Sequence, residues 1–538
     1  MAAGKKTTEY TTGHKKKVNQ ARTSGGDLSY WLETTEPLEF STLDSDLSVN
    51  TVIVGGGIAG VTTAFLLTKQ GKSVAVIEDG YIGSGESGRT TAHLVSALDD
   101  RYYDLENYFG KEGARKAAES HASAVDLIEY NITTENIDCD FERLSGYLFL
   151  HPSDKMESLQ KELESSRRAG LNTELIDGVP GIKAEKGPSL KYPSQGMFHP
   201  LKYLSGLCSA IIRNGGKIYT KTHADKIDSD GITTSNGHTV KAEHIVVATN
   251  TPIHATFEIH TKQEAYRTYV IGATVPKGSL PRALWWDTGD QNSTWHNYPY
   301  HYVRLQNYDD QHDLLISGGE DHKTGQAGKE NIEEEMRFEN LIKWTKERFP
   351  VVDVVYRWSG QVMEPVDSLA YIGRDPAESK GNIYFATGDS GTGMTHGTLA
   401  GIIISALIAG ADNPWAELYD PARKTMKTAT DYITANLNVA KQFGDYLTKG
   451  DVSSVKEIAP DSGAIIRMGI SKAAVYRDKS GNLHSYSAVC PHLKCILEWN
   501  GEEKSFDCPC HGSRFTCYGK VINGPANTDL TPVEVKDE

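Results

Sequence analysis

Apolar and polar positions divide the chain into stretches of two different periods. Thr51-Val52-Ile53-Val54 is an unbroken β-branched run, too short for a helix, which predicts a strand buried on both faces. Val61 to Gln70 then carries apolar residues at helical spacing, and Ser73 to Ile77 returns to a short apolar run. Ile245-Val246-Val247-Ala248 and Asn382-Ile383-Tyr384-Phe385-Ala386-Thr387 predict further buried strands, and the apolar run from Gly397 to Ala411 a buried helix. That run falls short of the roughly 20 residues a membrane span needs. In the middle, Tyr266 to Val275, Trp295 to Gln306 and Asp313 to Gly318 predict strands. Strict alternation in the second puts Tyr298, Tyr300, Tyr302 and Arg304 on one face. The Lys-, Thr- and Gly-rich residues 1–30 predict a flexible tail, and Pro421 to Leu447 a polar helical stretch.

The first strand runs into Gly55-Gly56-Gly57-Ile58-Ala59-Gly60, and the second ends at Glu78. This G-x-G-x-x-G sits in the strand–turn–helix–strand setting that dinucleotide binding requires. Gly55 permits the tight turn, Gly57 lets backbone approach a pyrophosphate, and Gly60 lets helix and strand pack closely. The helix start at Ile58 and Ala59 offers free N–H groups to phosphate. Glu78, 18 residues after Gly60, is placed to bind ribose hydroxyls.

Near the other end Cys490-Pro491-His492-Leu493-Lys494-Cys495 and Cys508-Pro509-Cys510-His511-Gly512-Ser513 supply one Cys and one His per loop. Thiolate and imidazole suit zinc as well as iron. Structural zinc sites, however, usually pair cysteines, so this spacing points to a Rieske-type [2Fe–2S] cluster held by Cys490, His492, Cys508 and His511. Such a centre moves single electrons. The turn Gly524-Pro525-Ala526 is placed to cover it.

At 538 residues the chain has room for several domains, and its net charge of −15 argues against a nucleic-acid surface. Seven cysteines rule out a secreted disulfide framework. The absence of an apolar leader segment makes the expected compartment cytoplasmic, with a mitochondrial address as the alternative.

The Gly-rich loop Gly83-Ser84-Gly85-Glu86-Ser87-Gly88-Arg89-Thr90-Thr91-Ala92-His93 resembles the second FAD contact of the D-amino-acid oxidase/glycine oxidase family. The strand at Ile245 and the loop Gly388-Asp389-Ser390-Gly391-Thr392-Gly393-Met394-Thr395-His396 are similar to that family's returning strand and flavin loop. Trp358-Ser359-Gly360-Gln361-Val362-Met363-Glu364-Pro365 is similar to the segment before its last flavin strand. The resemblance implies FAD contacts at Gly55, Gly57, Ile58, Ala59, Gly60, Glu78, Gly88, Arg89, Thr90, Thr91, Gly388, Gly391, Gly393, Met394 and Thr395. The cluster loops resemble the Rieske proteins of cytochrome bc complexes, which implies a Cys495–Cys510 disulfide and a Ser513 hydroxyl directed at a bridging sulfide. Where those proteins have a tyrosine this chain has Phe515, so a lower potential is expected.

The implied fold is an α/β FAD-binding domain, Rossmann-like and of glutathione-reductase type, with an α+β substrate domain and a small all-β Rieske domain. The expected bounds are 48–415 for the oxidoreductase, 416–450 for a helical connector and 451–538 for the Rieske domain. Within the first, FAD-binding parts fall at 48–135, 200–260 and 356–415, and substrate parts at 140–200 and 260–355. The implied function is a flavin oxidoreductase taking electrons from an amine or amino-acid-like substrate. His492 and His511, at an exposed edge, would pass them singly to a one-electron protein or quinone-like acceptor. Arg267 and Arg304 are candidates for holding a substrate carboxylate, Tyr302 for the substrate wall, and His296, His301 and His396 for proton transfer. An NAD(P)H-dependent reductase and a redox-sensing protein without turnover are the alternative readings.

Overall fold

A computed structural model describes residues 26–254, 257–293, 298–327, 332, 334–424 and 450–535. The connector expected at 416–450 lies outside the described residues from 425 to 449. Only its start, with a short helix Ala416–Tyr419, is described.

The run at Thr51 belongs to strand Leu47–Val54, which is flanked in parallel by Thr239–Val247 on one side and Val74–Ile77 on the other. Ile383–Thr387 and Lys217–Tyr219 extend this sheet in parallel, and Tyr371–Arg374 closes one edge antiparallel. Helices cover it on a face where nearly every residue is apolar. Ile58–Lys69 buries Val61, Ala64, Phe65 and Leu67, and Gly393–Ala409 buries Leu399, Ile403 and Ile404. The two helices meet at Gly397 and Gly401, whose α-carbons lie against Ile58 and Thr62.

The second sheet has nine strands and is mostly antiparallel. Its long central strands, Gln263–Pro276 and His312–Lys323, are paired along their length, and Asp353–Pro365 forms one edge. The segment after residue 356 begins inside this edge strand, paired residue by residue with Gln263–Pro276, and its Gly360, Gln361, Val362 and Glu364 line the large cavity. The strand expected from Trp295 starts only at Tyr302, and Tyr298, at φ 42°, lies outside it.

Two small antiparallel sheets, Ser462–Met468/Ser471–Arg477/Leu483–Ser487 and Glu498–Asn500/Ser505–Asp507/Arg514–Thr516/Val521–Asn523, form the C-terminal domain. Among the described residues no helix is long and apolar enough to cross a membrane.

The end of the expected tail is part of the fold. Ser29 caps helix Tyr30–Thr34 by accepting from Leu32 N–H at 3.2 Å, and its hydroxyl donates to the Gly88 carbonyl. The Trp31 indole donates to the Thr90 carbonyl at 2.6 Å. Burying two aromatic rings just beyond the polar stretch fixes this segment against the second glycine loop.

Candidate functional site

The glycine turn works as its residue types require. Gly55 holds φ 111°, where a Cβ would collide with the Ala248 carbonyl, and a Cβ on Gly60 would collide with the Gly55 carbonyl. Gly57, at the helix N-terminus, is open on one side, and Ile58 N–H donates to Ser87 Oγ at 3.0 Å. The Glu78 carboxylate accepts from Gly56 N–H and Gly80 N–H, each at 2.7 Å. Burial raises its pKa to about 7 against those two donors.

Gly55, Gly56, Gly57, Ile58, Glu78 and Ser87 line one end of a cavity of about 300 Å³ that continues past Thr90, Thr91, Gly388 and Gly391. Gly393 and Met394, at the start of helix Gly393–Ala409, also face it and aim the helix's positive end inward. Of the expected contacts, Gly60, Gly88 and Thr395 stay off the wall. The first two serve packing, and the Thr395 hydroxyl bonds His121 Nδ1 at 2.9 Å. Sequence reasoning missed Ala248, Thr249 and Asn250, and the backbone around Ala224, which also line the cavity.

The far end is walled by Trp286, Tyr300 and Tyr302 with Asp99, Asp321 and Glu364. Tyr302 lies on Gly318 and Trp286 on Gly146, glycines whose Cβ would strike the rings. The Tyr302 hydroxyl is 2.5 Å from Thr268 Oγ1. Burial raises Asp99 and Asp321 to about 7 each.

Both arginines proposed to hold a substrate carboxylate are elsewhere. Arg304 is buried with its guanidinium donating to the Ala92 and Phe198 carbonyls at 2.9 and 3.0 Å. Arg267 pairs with Glu503 of the C-terminal domain at 3.1 Å. His301 stacks on Trp344 and lies between Asp287 and Glu320; burial opposes its charge, yet these carboxylates hold it at about 9, cationic at neutral pH. His396 does face the cavity, kept neutral by burial at about 4, with Nδ1 bonded to the Asp389 carbonyl at 2.8 Å. His296 lies outside the described residues.

Cys490 and Cys508 occupy two loops tied back on themselves, by Cys490 N–H to the Cys495 carbonyl at 2.9 Å and Cys508 N–H to the Ser513 carbonyl at 2.8 Å. The two thiols touch, and contact with Cys508 lowers Cys490 to about 7. The rings of His492 and His511 stand 5.2 Å apart, and burial keeps both neutral, at about 4 and about 3, the form that ligates metal. Cys495 and Cys510 form a disulfide. Their sulfurs lie within 4.8 Å of that of Cys508, but being bonded to each other they are not available as ligands. Two thiols and two imidazoles at adjacent loop tips thus fit a Rieske cluster. The Ser513 hydroxyl accepts from Ala526 N–H at 3.0 Å, which ties the covering turn over the second loop.

One expectation is overturned by the docking of this domain. His492 and His511 do not form an exposed edge: His511 is 3% exposed, His492 is half-buried, and their rings meet that of His260 in the flavin-binding half at 6.3 and 4.9 Å respectively. Residues Val521 to Gly524, with Ala526 and Asn527, line the same cavity as the glycine turn. The Asn527 amide donates to the Ala224 carbonyl at 3.1 Å and that of Asn523 to Glu86 at 3.1 Å. At the centre of the interface Glu503 meets Arg267, Arg89 and Arg514, and accepts from Gly26 N–H at 2.7 Å. Arg89, expected to contact cofactor, sends its guanidinium to the Ser359 and Asp27 carbonyls at 2.9 and 2.8 Å and so braces this junction.

Residues 50–407 match the FAD dependent oxidoreductase family and residues 448–534 the Rieske [2Fe-2S] domain. The chain belongs to the FAD dependent oxidoreductase family and carries a C-terminal Rieske domain; its cofactors are FAD and a [2Fe–2S] cluster. It is 30% identical over 524 residues to the putative Rieske 2Fe-2S iron-sulfur protein YhfW of Bacillus subtilis, covering 96% of this chain and 100% of that one. It is 28% identical to the gamma-glutamylputrescine oxidoreductase of Escherichia coli, over 69% of this chain and 86% of that one. Its fold matches glycine oxidase from Geobacillus kaustophilus with a TM-score of 0.57 at 18% identity, over 70% of this chain and 99% of that one.

Proposed function

We propose that this protein oxidises an amine or amino-acid-like substrate at a C–H beside nitrogen and delivers the electrons singly, through its Rieske centre, to an external acceptor. FAD supplies hydride acceptance and one-electron release, the exchange a one-electron cluster requires. The chain's own contribution is placement. Glu78 and the Gly55–Gly57 turn hold the nucleotide end, and Trp286, Tyr300 and Tyr302 roof the reacting end and exclude water. The observation that carries the reading is the inward histidine edge. His492 and His511 face the flavin-binding half across His260, and the turn over the cluster is a wall of the cofactor cavity. In this reading the histidine edge is the entry for electrons, with the exit elsewhere on the Rieske domain. The substrate class is supported by relatives whose names record a polyamine derivative and glycine. The acceptor in this reading is a one-electron protein or quinone-like molecule in the cytoplasm.

The test is an anaerobic titration of the purified holoprotein with amines and amino acids, following flavin absorbance and the cluster's electron paramagnetic resonance together. Substrate should bleach the flavin and then reduce the cluster. Flavin bleaching with a cluster that stays oxidised would exclude the internal transfer. Rapid bleaching by NADH or NADPH alone would replace the reading with a nicotinamide-dependent one.

A further inference from the structure

The substrate end of the cavity carries a charge pattern opposite to the one expected for an amino-acid site. Among the described residues no lysine or arginine side chain lines it apart from Arg89, whose guanidinium is held by backbone carbonyls and Glu503. Other cations near it are engaged elsewhere: Arg101 donates to the Asp287 carbonyl at 3.4 Å, Arg337 to the Glu320 carbonyl at 3.2 Å, and His301 is paired with Asp287 and Glu320. Three carboxyl groups face the cavity instead, Asp99, Asp321 and Glu364.

Each of them has a local partner. Glu364 accepts from the Ser390 hydroxyl at 2.9 Å, and Asp99 bonds the Tyr300 hydroxyl while lying against Gly391. Asp321 accepts from the Thr268 hydroxyl, but it is 7% exposed and its Oδ1 has no hydrogen-bond partner. Backbone geometry explains its aim. The pairing of Gln263–Pro276 with His312–Lys323 slips between Arg267 and Tyr269, and Glu320, opposite the slip, takes φ 61°. A bulge of this kind re-aims the following side chain, here into the cavity beside Thr268 and Tyr302. A buried carboxyl oxygen without a partner is costly unless a ligand completes it. Tyr300 and Tyr302, with centroids 5.3 Å apart, present ring faces that attract cations.

We propose that this site selects a cationic amine with no carboxylate on the carbon bearing its nitrogen, its positive charge held between Asp321 and Asp99 against Tyr300 and Tyr302. The inference rests on the oxidation reading above and narrows its substrate class: an α-carboxylate here would face three acidic groups and no cation.

Matched pairs differing only in that carboxylate provide the test: benzylamine and phenylglycine, tyramine and tyrosine, 1,5-diaminopentane and lysine. Calorimetric titration uses holoprotein reduced with dithionite beforehand, so that binding is read without turnover. The amine of each pair should bind at least about tenfold tighter, and Asp321→Asn should remove about that factor for the amine while barely moving the amino acid. Cofactor spectra report whether the variant is folded. Should it fail to load FAD, Asp99→Asn and displacement of the amines by tetramethylammonium from the unaltered protein decide in its place. Tighter binding of the amino acids, or an unchanged preference in Asp321→Asn, would overturn the proposal. Amino acids bleaching the flavin faster than their amines would leave the oxidation reading standing and this one fallen. If no member of any pair binds or bleaches the flavin, both fall.

Discussion

Phe515 is fully buried in the same apolar cluster as Cys490 and Cys508, paired across strands with Phe506. A phenyl ring there gives no hydrogen bond to a cluster sulfur, and such bonds raise the reduction potential. A neutral hydrogen bond contributes about 1 kcal/mol, which for one electron corresponds to about 40 mV. Phe515→Tyr should therefore raise the midpoint in a redox titration by roughly that amount. An unchanged midpoint would show that residue 515 does not tune the cluster. At the same scale Tyr302 depends on its neighbour: a Cβ at residue 318 would strike the ring. Gly318→Ala should therefore slow flavin reduction by substrate, with FAD content unchanged, in stopped-flow measurements.

The elements explain what could be read from the chain and what could not. Local signals were strong wherever one short segment does the work. The Val52–Val54 run, the glycine turn and Glu78 are consecutive in sequence, and the structure joins them around one end of the cavity. The cluster loops are equally local, and so is the Cys495–Cys510 bond. The glycine turn yields an element-scale prediction: Gly60→Ala should abolish FAD loading, since the added methyl collides with the Gly55 carbonyl, while the cluster spectrum persists. Retained flavin in that variant would show that the helix can move off its strand. The substrate end was not legible, because it is assembled from separate strands. Asp99, Trp286, Asp321 and Glu364 come from four segments, and Asp321 faces inward only through a bulge that no periodicity records. Arg267 and Arg304 misled for a related reason. Alternation assigns a face to a strand but does not say whether that face meets a cavity, a backbone or another domain.

At the scale of the molecule, the Rieske domain is clamped to the flavin domain through one buried carboxylate. Burial opposes the ionisation of Glu503, but Arg267, Arg89 and Arg514 outweigh it and hold its pKa at about 2, against an ordinary value of 4.5. A depressed acid of this kind contributes its stabilisation fully above its unfolded value and loses it as pH falls through the folded one. The clamp should thus be intact at pH 5 and above and weaken as pH falls from about 4.5 towards 2. Removing one partner from a buried ionic group costs about 3–5 kcal/mol, because the remaining charges stay desolvated. Glu503→Gln leaves three guanidinium groups around a neutral amide, so its thermal unfolding temperature should drop well below that of the parent protein at neutral pH. The same substitution separates docking from chemistry, since Glu503 does not line the cofactor cavity. Substrate should still bleach the flavin at the parent rate, while subsequent cluster reduction slows as the histidine edge loses its fixed approach past His260. Both rates come from one stopped-flow trace read at flavin and cluster wavelengths. Equal cluster reduction in the two proteins would mean that the remaining contacts, among them Gln361 to the Gly512 carbonyl at 3.1 Å, Gln326 to the Pro509 carbonyl at 2.9 Å and Asn527 to the Ala224 carbonyl at 3.1 Å, suffice to hold the domains in register.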